Sequence, residues 1–265
     1  MTKESNGDTY NRKKTKENEA FKDNFTPENS NDTAIIEKFM SSIFYENQRG
    51  NILTLDSSYL LIEKLNIQQS EISYILNLLG SFANVNEYLI DFQLKKGVFS
   101  FTNATKIDIV VNSLNAQVYF DQRMTVRKIG CQLPLSKIPK FKNDRFVVGE
   151  ENKKNYRYQK NLSIKFNPPS KTIHITNTAE SLDVKGLTEL FGQYYKPLRI
   201  KCLSSKTSNS TSQMYLAEFD QVNKCLEILS IFHNKHISEK SMKISFSHMK
   251  LENTFEESAD SNSQF

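Results

Sequence analysis

Apolar residues fall into two series of similar length, set in polar chain. In the first, the run YLLI at 59–62 predicts a buried strand. Ile72, Ile75, Leu76 and Leu79 then recur at i, i+3, i+4 and i+7, the spacing of one helix face, with Ser70 as candidate N-cap and Gly80 closing the helix. Strands follow at 88–92 and 96–101 across a short polar turn. Ile107, Val110, Val111 and Leu114 mark a second helix, and 124–128 a last strand. The second series opens with the alternating IHIT at 173–176. Val184, Leu187, Leu190 and Phe191 mark a helix with Ser181 as candidate N-cap and Gly192 at its end. Strands are expected at 198–203 and 214–219, separated by a Ser/Thr/Asn loop. Val222, Cys225, Leu226 and Leu229 form a helical stripe, and 242–247 a final strand.

Both series read β-α-β-β-α-β over about 75 residues, an internal duplication of the split βαβ fold. The predicted class is α+β: two RNA recognition motif (RRM), ferredoxin-like domains, each a four-stranded antiparallel sheet with two helices on one face. The expected limits are a disordered segment at 1–33, an amphipathic helix at 34–48, a first RRM at 55–130, a basic linker at 131–169, a second RRM at 170–250, and a disordered acidic tail at 251–265. Residues 1–33 hold no Ile, Leu or Val and cannot bury enough apolar surface to offset chain entropy. In the helix that follows, Ile36, Phe39, Met40 and Ile43 share one face.

Charge sharpens this picture. The net charge is +5, and the linker alone carries nine Lys or Arg against three acids, interleaved with Phe141, Phe146, Tyr156, Tyr158 and Phe166. Basic residues mixed with rings suit a nucleic-acid strand, and a solvated spacer is the plain alternative. The cluster NRKKTK at 11–16 suggests nuclear import as one reading, a solvated charge run as the other. Three cysteines without a C-x-x-C pair support neither a disulfide framework nor a zinc ribbon. No apolar run reaches the length of a membrane span. Nucleotide-cradling glycine motifs and nucleophile–base pairs are absent, so no catalytic residue, metal or cofactor is expected.

An RRM offers its sheet to single-stranded RNA, and period-2 alternation sorts each strand between core and RNA. In the second unit, His174 and Thr176 on strand one, Lys201 and Leu203 on strand two, Met214 and Leu216 on strand three, and Lys243 and Ser245 on strand four are the candidate contacts. Asn177 joins them at the end of strand one. In the first unit the candidates are Leu61, Phe92, Lys96 and Val98. His174 is the only ring at the stacking positions. A sheet of His, Met and Leu must rely on hydrogen bonds to base edges, which favours small pyrimidines.

The second unit resembles the last RRM of the polypyrimidine tract-binding proteins. IHITN at 173–177 parallels the family's L-H-L-S-N, MYLAEF at 214–219 its M-A-L-I-Q-M, and FHNK at 232–235 with KISFS at 243–247 its L-H-N-H and R-V-S-F-S. The first unit resembles the RRM before it: YLLIEKLN at 59–66 parallels V-L-L-V-S-N-L-N, and QLP at 132–134 and NPPSKT at 167–172 match the two ends of the linker. The resemblance covers residues 50–250. It implies binding of pyrimidine-rich (U/C) single-stranded RNA, regulation of splicing or RNA processing, contact with splicing-factor proteins, and a nuclear location, with the cytoplasm left open. It departs at Glu63, where a small polar residue is expected, at Lys64, and in having two units for the usual four.

Leu78, Ile109, Ile228, Ile231 and Phe232 widen the helical stripes beyond one face. The resemblance implies a monomer whose two RRMs pack helix face to helix face. The rival reading is an RRM-fold protein–protein interaction module with little intrinsic RNA binding.

Overall fold

The computed structural model describes residues 30–48, 58–103, 106–130, 135–150, 167–203 and 213–251. A helix, α1 (Ser30–Gln48), precedes the first unit. That unit runs β1 (Ser58–Glu63), α2 (Ile72–Gly80), β2 (Val85–Asp91), β3 (Lys96–Phe101), α3 (Ile107–Leu114), a small hairpin of β4 (Val118–Tyr119) and β5 (Gln122–Arg123), then β6 (Thr125–Gly130). The chain continues through a 3-10 turn, Leu135–Lys137, into β7 (Phe141–Lys142) and β8 (Phe146–Glu150). The sheet order is β6-β1-β3-β2-β8-β7, antiparallel at every pairing. Four of these are the expected RRM strands. The other two come from the stretch read as linker, which corrects that boundary: 135–150 belongs to the first unit. Its apolar FVV at 146–148 adds to the β2 edge, removing an unpaired strand edge. Gly149 permits the pairing, since a Cβ there would lie 2.5 Å from the Tyr88 Oη.

The second unit runs β9 (Thr172–Thr176), α4 (Val184–Gly192), β10 (Arg199–Leu203), β11 (Met214–Glu218), α5 (Val222–Phe232), a hairpin of β12 (His236–Ile237) and β13 (Lys240–Ser241), and β14 (Lys243–Phe246). Its sheet order is β10-β11-β9-β14. Both units insert a short hairpin before the last RRM strand, a parallel the apolar pattern did not reveal. Helix starts also differ from expectation. Asp183, not Ser181, caps α4, its carboxylate accepting from the Gly186 N–H at 2.8 Å. At α2 a 3-10 turn, Gln69–Glu71, takes the place of a Ser70 cap, and the Glu71 carboxylate accepts from the Gln68 N–H at 2.9 Å.

The units join through their helices, and one hydrophobic core contains residues of both. Every residue of α5 from Cys225 to Phe232 is buried, because α5 lies between its own sheet and α2. The stripe Glu227, Ser230 and Asn234 makes the polar bonds across the junction. The Glu227 carboxylate accepts across it from the Phe120 N–H at 2.9 Å and, within its own unit, from the Tyr195 hydroxyl, while the Asn77 amide donates across it to the Ser230 carbonyl at 3.0 Å. Phe82 and Phe246 add a ring pair, centroids 6.1 Å apart. Leu78, Ile228 and Ile231 are buried as the widened stripe implied. Phe232 instead packs on Phe191 and Tyr194 of its own unit, and Ile109 is only half-buried.

Candidate nucleic-acid interface

The two sheets present opposite situations on the face away from their own helices. In the first unit that face is apolar. Tyr59, Leu61, Leu89, Val98, Ile129, Phe146 and Val148 form a second core with Ile36, Phe39 and Met40 of α1 and with Leu135, Ile138 and Phe141. So large an apolar surface cannot stay wet, and α1 and the 135–141 segment cover it. Arg145 fastens the cover. Its guanidinium lies 3.3 Å from the fully buried Asp91 carboxylate of β2 and 2.6 Å from Glu37 of α1, and stacks over the Phe146 ring at 4.4 Å.

This overturns part of the expected site. Leu61 and Val98 do point away from α2 and α3, but both are 0% exposed beneath α1. Phe92 packs against the helix-side core, just past β2. Lys96 stays half-exposed and pairs with Glu63 at 3.1 Å, with Arg127 3.5 Å from the same carboxylate. Glu63 is therefore neutralised in place. The feature that sequence reading missed is the cover itself, although β1 signalled it. YLLI has no alternation, as expected of a strand covered on both faces.

The second unit keeps part of its face accessible. Register places Lys201, Leu216, His174 and Ser245 in one row across β10, β11, β9 and β14. Beside it, Leu203 pairs with Met214 and Thr176 with Lys243. Lys201 is exposed, and His174, Thr176, Leu203, Met214 and Lys243 are partly so. Leu216 at 1% and Ser245 at 6%, the neighbours of His174 on either side in the row, are buried, so these two do not offer their side chains to solvent. Asn177 lies exposed at the strand end with φ 54°, its amide donating to the Ser241 carbonyl at 2.7 Å. Arg199 and Glu218 close the far end as an ion pair at 2.8 Å.

Partial burial lowers the pKa of Lys243, because desolvation disfavours its charge. The result is a strip with an imidazole, aliphatic side chains and amines at its two edges. The other histidine of interest, His233, is buried at the end of α5, where its Nδ1 accepts from the Ile244 N–H at 3.1 Å. It ties β14 to the helix and lies off the strip. Among the described residues no group of His, Cys, Asp or Glu converges as a metal site, and no helix is long and apolar enough to cross a membrane.

The model of the RNA recognition motif (also known as RRM, RBD or RNP domain) matches residues 34–157 and again 174–265. The chain belongs to the RNA recognition motif family. No curated protein matches it. Solved structures similar to it include the RRM3 domain of Mip6, 11% identical with a TM-score of 0.26, the match covering 28% of this chain and 89% of that one. The N-terminal three RNA binding domains of the yeast splicing factor Prp24 are 9% identical with a TM-score of 0.27, covering 72% of this chain and 64% of that one. A SXL-lethal protein/RNA complex is 13% identical with a TM-score of 0.26, covering 72% and 100%. As an RRM protein the chain carries two RNA-binding-type domains with antiparallel sheets, of which the second keeps Lys201 exposed and His174, Thr176, Leu203, Met214 and Lys243 partly exposed on its sheet face.

Proposed function

We propose that this protein binds single-stranded, pyrimidine-rich RNA on the sheet of its second RRM and acts in splicing or another step of RNA processing in the nucleus. The observation that carries the reading is the strip of partly exposed side chains around His174, with Lys201 exposed at one edge, next to a first unit whose equivalent face is closed. One imidazole supplies limited stacking, so hydrogen bonds from Thr176, Asn177 and the backbone must do more of the reading. Small U and C rings suit a floor of Leu203 and Met214. Lys201 and Lys243 at the two edges suit phosphates. The resemblance of IHITN and KISFS to the polypyrimidine tract-binding family supports the same preference. The first unit serves as a support for the second.

Fluorescence anisotropy with labelled U/C and purine 8-mers tests this. The U/C oligomer should bind more tightly, with log affinity falling against log salt by roughly 0.7 per phosphate neutralised. Equal, weak binding of both oligomers would favour a protein-interaction module instead, an outcome to which the closed first face would then also point.

A further inference from the structure

Lys243 stands on β14 opposite Thr176, at the edge of the open strip. Its ammonium donates to the Asn234 side-chain carbonyl. Asn234 follows α5 with φ 63°, a left-handed conformation that Asn tolerates better than most residues, and its N–H donates to the Met242 carbonyl at 2.8 Å. The amide of the same side chain turns the other way and donates to the Asn77 side-chain oxygen at 3.4 Å. Asn77 belongs to α2 of the first unit, and its own amide donates to Ser230 at 3.0 Å. Donor and acceptor of a carboxamide are opposite corners of one rigid plane. Holding the Asn234 amide on Asn77 therefore aims its oxygen at Lys243.

We propose that Asn77 of the first unit is a positioning residue for RNA on the second: it orients Asn234, which holds the Lys243 ammonium at the edge where the phosphate chain runs. This rests on reading the open strip as the RNA site. An ammonium has three N–H donors, and Asn234 uses one, so phosphate oxygens can take the others. A lysine ordered beforehand loses less rotamer freedom on binding. The partial desolvation of Lys243 acts in the same direction, since a phosphate restores the polar partners that burial removed. By linkage, RNA on the strip should in turn strengthen the junction between the two units.

The test is a mutant cycle in the full chain, read by anisotropy with a U/C 8-mer at several salt concentrations. Lys243→Ala should weaken binding roughly tenfold and lower the salt slope by about 0.7. Asn77→Ala and, as a second variant with a separate effect on folding, Asn234→Ala should each weaken it roughly threefold. Neither should weaken it further in the Lys243→Ala background. Full affinity in Asn77→Ala and Asn234→Ala, with Lys243→Ala impaired, overturns the positioning role and leaves the RNA site standing. Equal losses in both backgrounds also overturn it, because a general loosening of the fold would act without Lys243. Full affinity in Lys243→Ala removes this edge from the RNA site and the proposal with it.

Discussion

Leu61→Ala separates a closed face from a working one. Leu61 occupies a position where an RRM would contact a base, yet it is fully buried, in register with Val98 on one side and Arg127 on the other, within the core that α1 completes. Truncation removes three carbons, about 2.4 kcal/mol at about 0.8 kcal/mol per buried methylene. The rigid sheet below cannot collapse into the gap, so a cavity term adds to this and the total should be about 3–4 kcal/mol. With a urea m-value of about 2–3 kcal/mol/M, the unfolding midpoint should fall by roughly 1–2 M. Affinity for a U/C 8-mer, measured without denaturant where the variant is still folded, should not change. A loss of affinity with an unchanged midpoint would refute the reasoning, since Leu61 would then be reaching RNA through a face that α1 does not hold shut.

Four other substitutions probe separate parts of the molecule. His174→Ala should weaken U/C 8-mer binding by about 1 kcal/mol or more, about fivefold, on the scale of base–ring stacking; unchanged anisotropy would remove His174 from the site. Glu227→Ala leaves the Phe120 N–H and Tyr195 hydroxyl without their carboxylate at the domain junction. It should cost about 1–3 kcal/mol and let the units reorient independently in NMR relaxation. Arg145→Met strands the buried Asp91 carboxylate and should destabilise by on the order of 3 kcal/mol, part of which the added Asp91→Asn should restore in chemical denaturation. Glu87 has its pKa raised above the ordinary carboxylate value, by burial first and by the neighbouring Glu150 second. A carboxyl raised in the folded state favours folding below its unfolded pKa and loses that contribution as pH rises through the folded value. Glu87→Gln should therefore raise the melting temperature at pH 7 and flatten this part of the stability curve as pH rises above the ordinary carboxylate value; a melting temperature unchanged at pH 7 would count against the burial.

Local pattern was enough for most elements because a helix or strand declares itself through neighbours a few positions away. The stripe from Ile72 to Leu79 and the stripe from Val222 to Leu229 each lie on an observed helix, and β3 and α3 match their expected residues. Cap identity was harder. Ser70 and Ser181 are good capping residues by type, but Glu71 and Asp183 lie nearer the first free N–H groups. Residues 135–150 read as linker because their charge obscured a short apolar strand that gains its stability only by pairing with β2.

Residue order alone determined that there are two β-α-β-β-α-β units. The contrast between YLLI and IHIT already held the difference between a strand covered on both faces and one open on a single face. What covers the first sheet was not available locally. The Arg145 clasp joins residues 54 and 108 positions apart, and the Asn77–Asn234 contact spans 157. Such pairs leave no periodic trace, because each side chain, read in its own stretch of sequence, is an ordinary surface residue. Only the folded chain brings them together, and with them it decides which of two similar sheets remains open to a ligand.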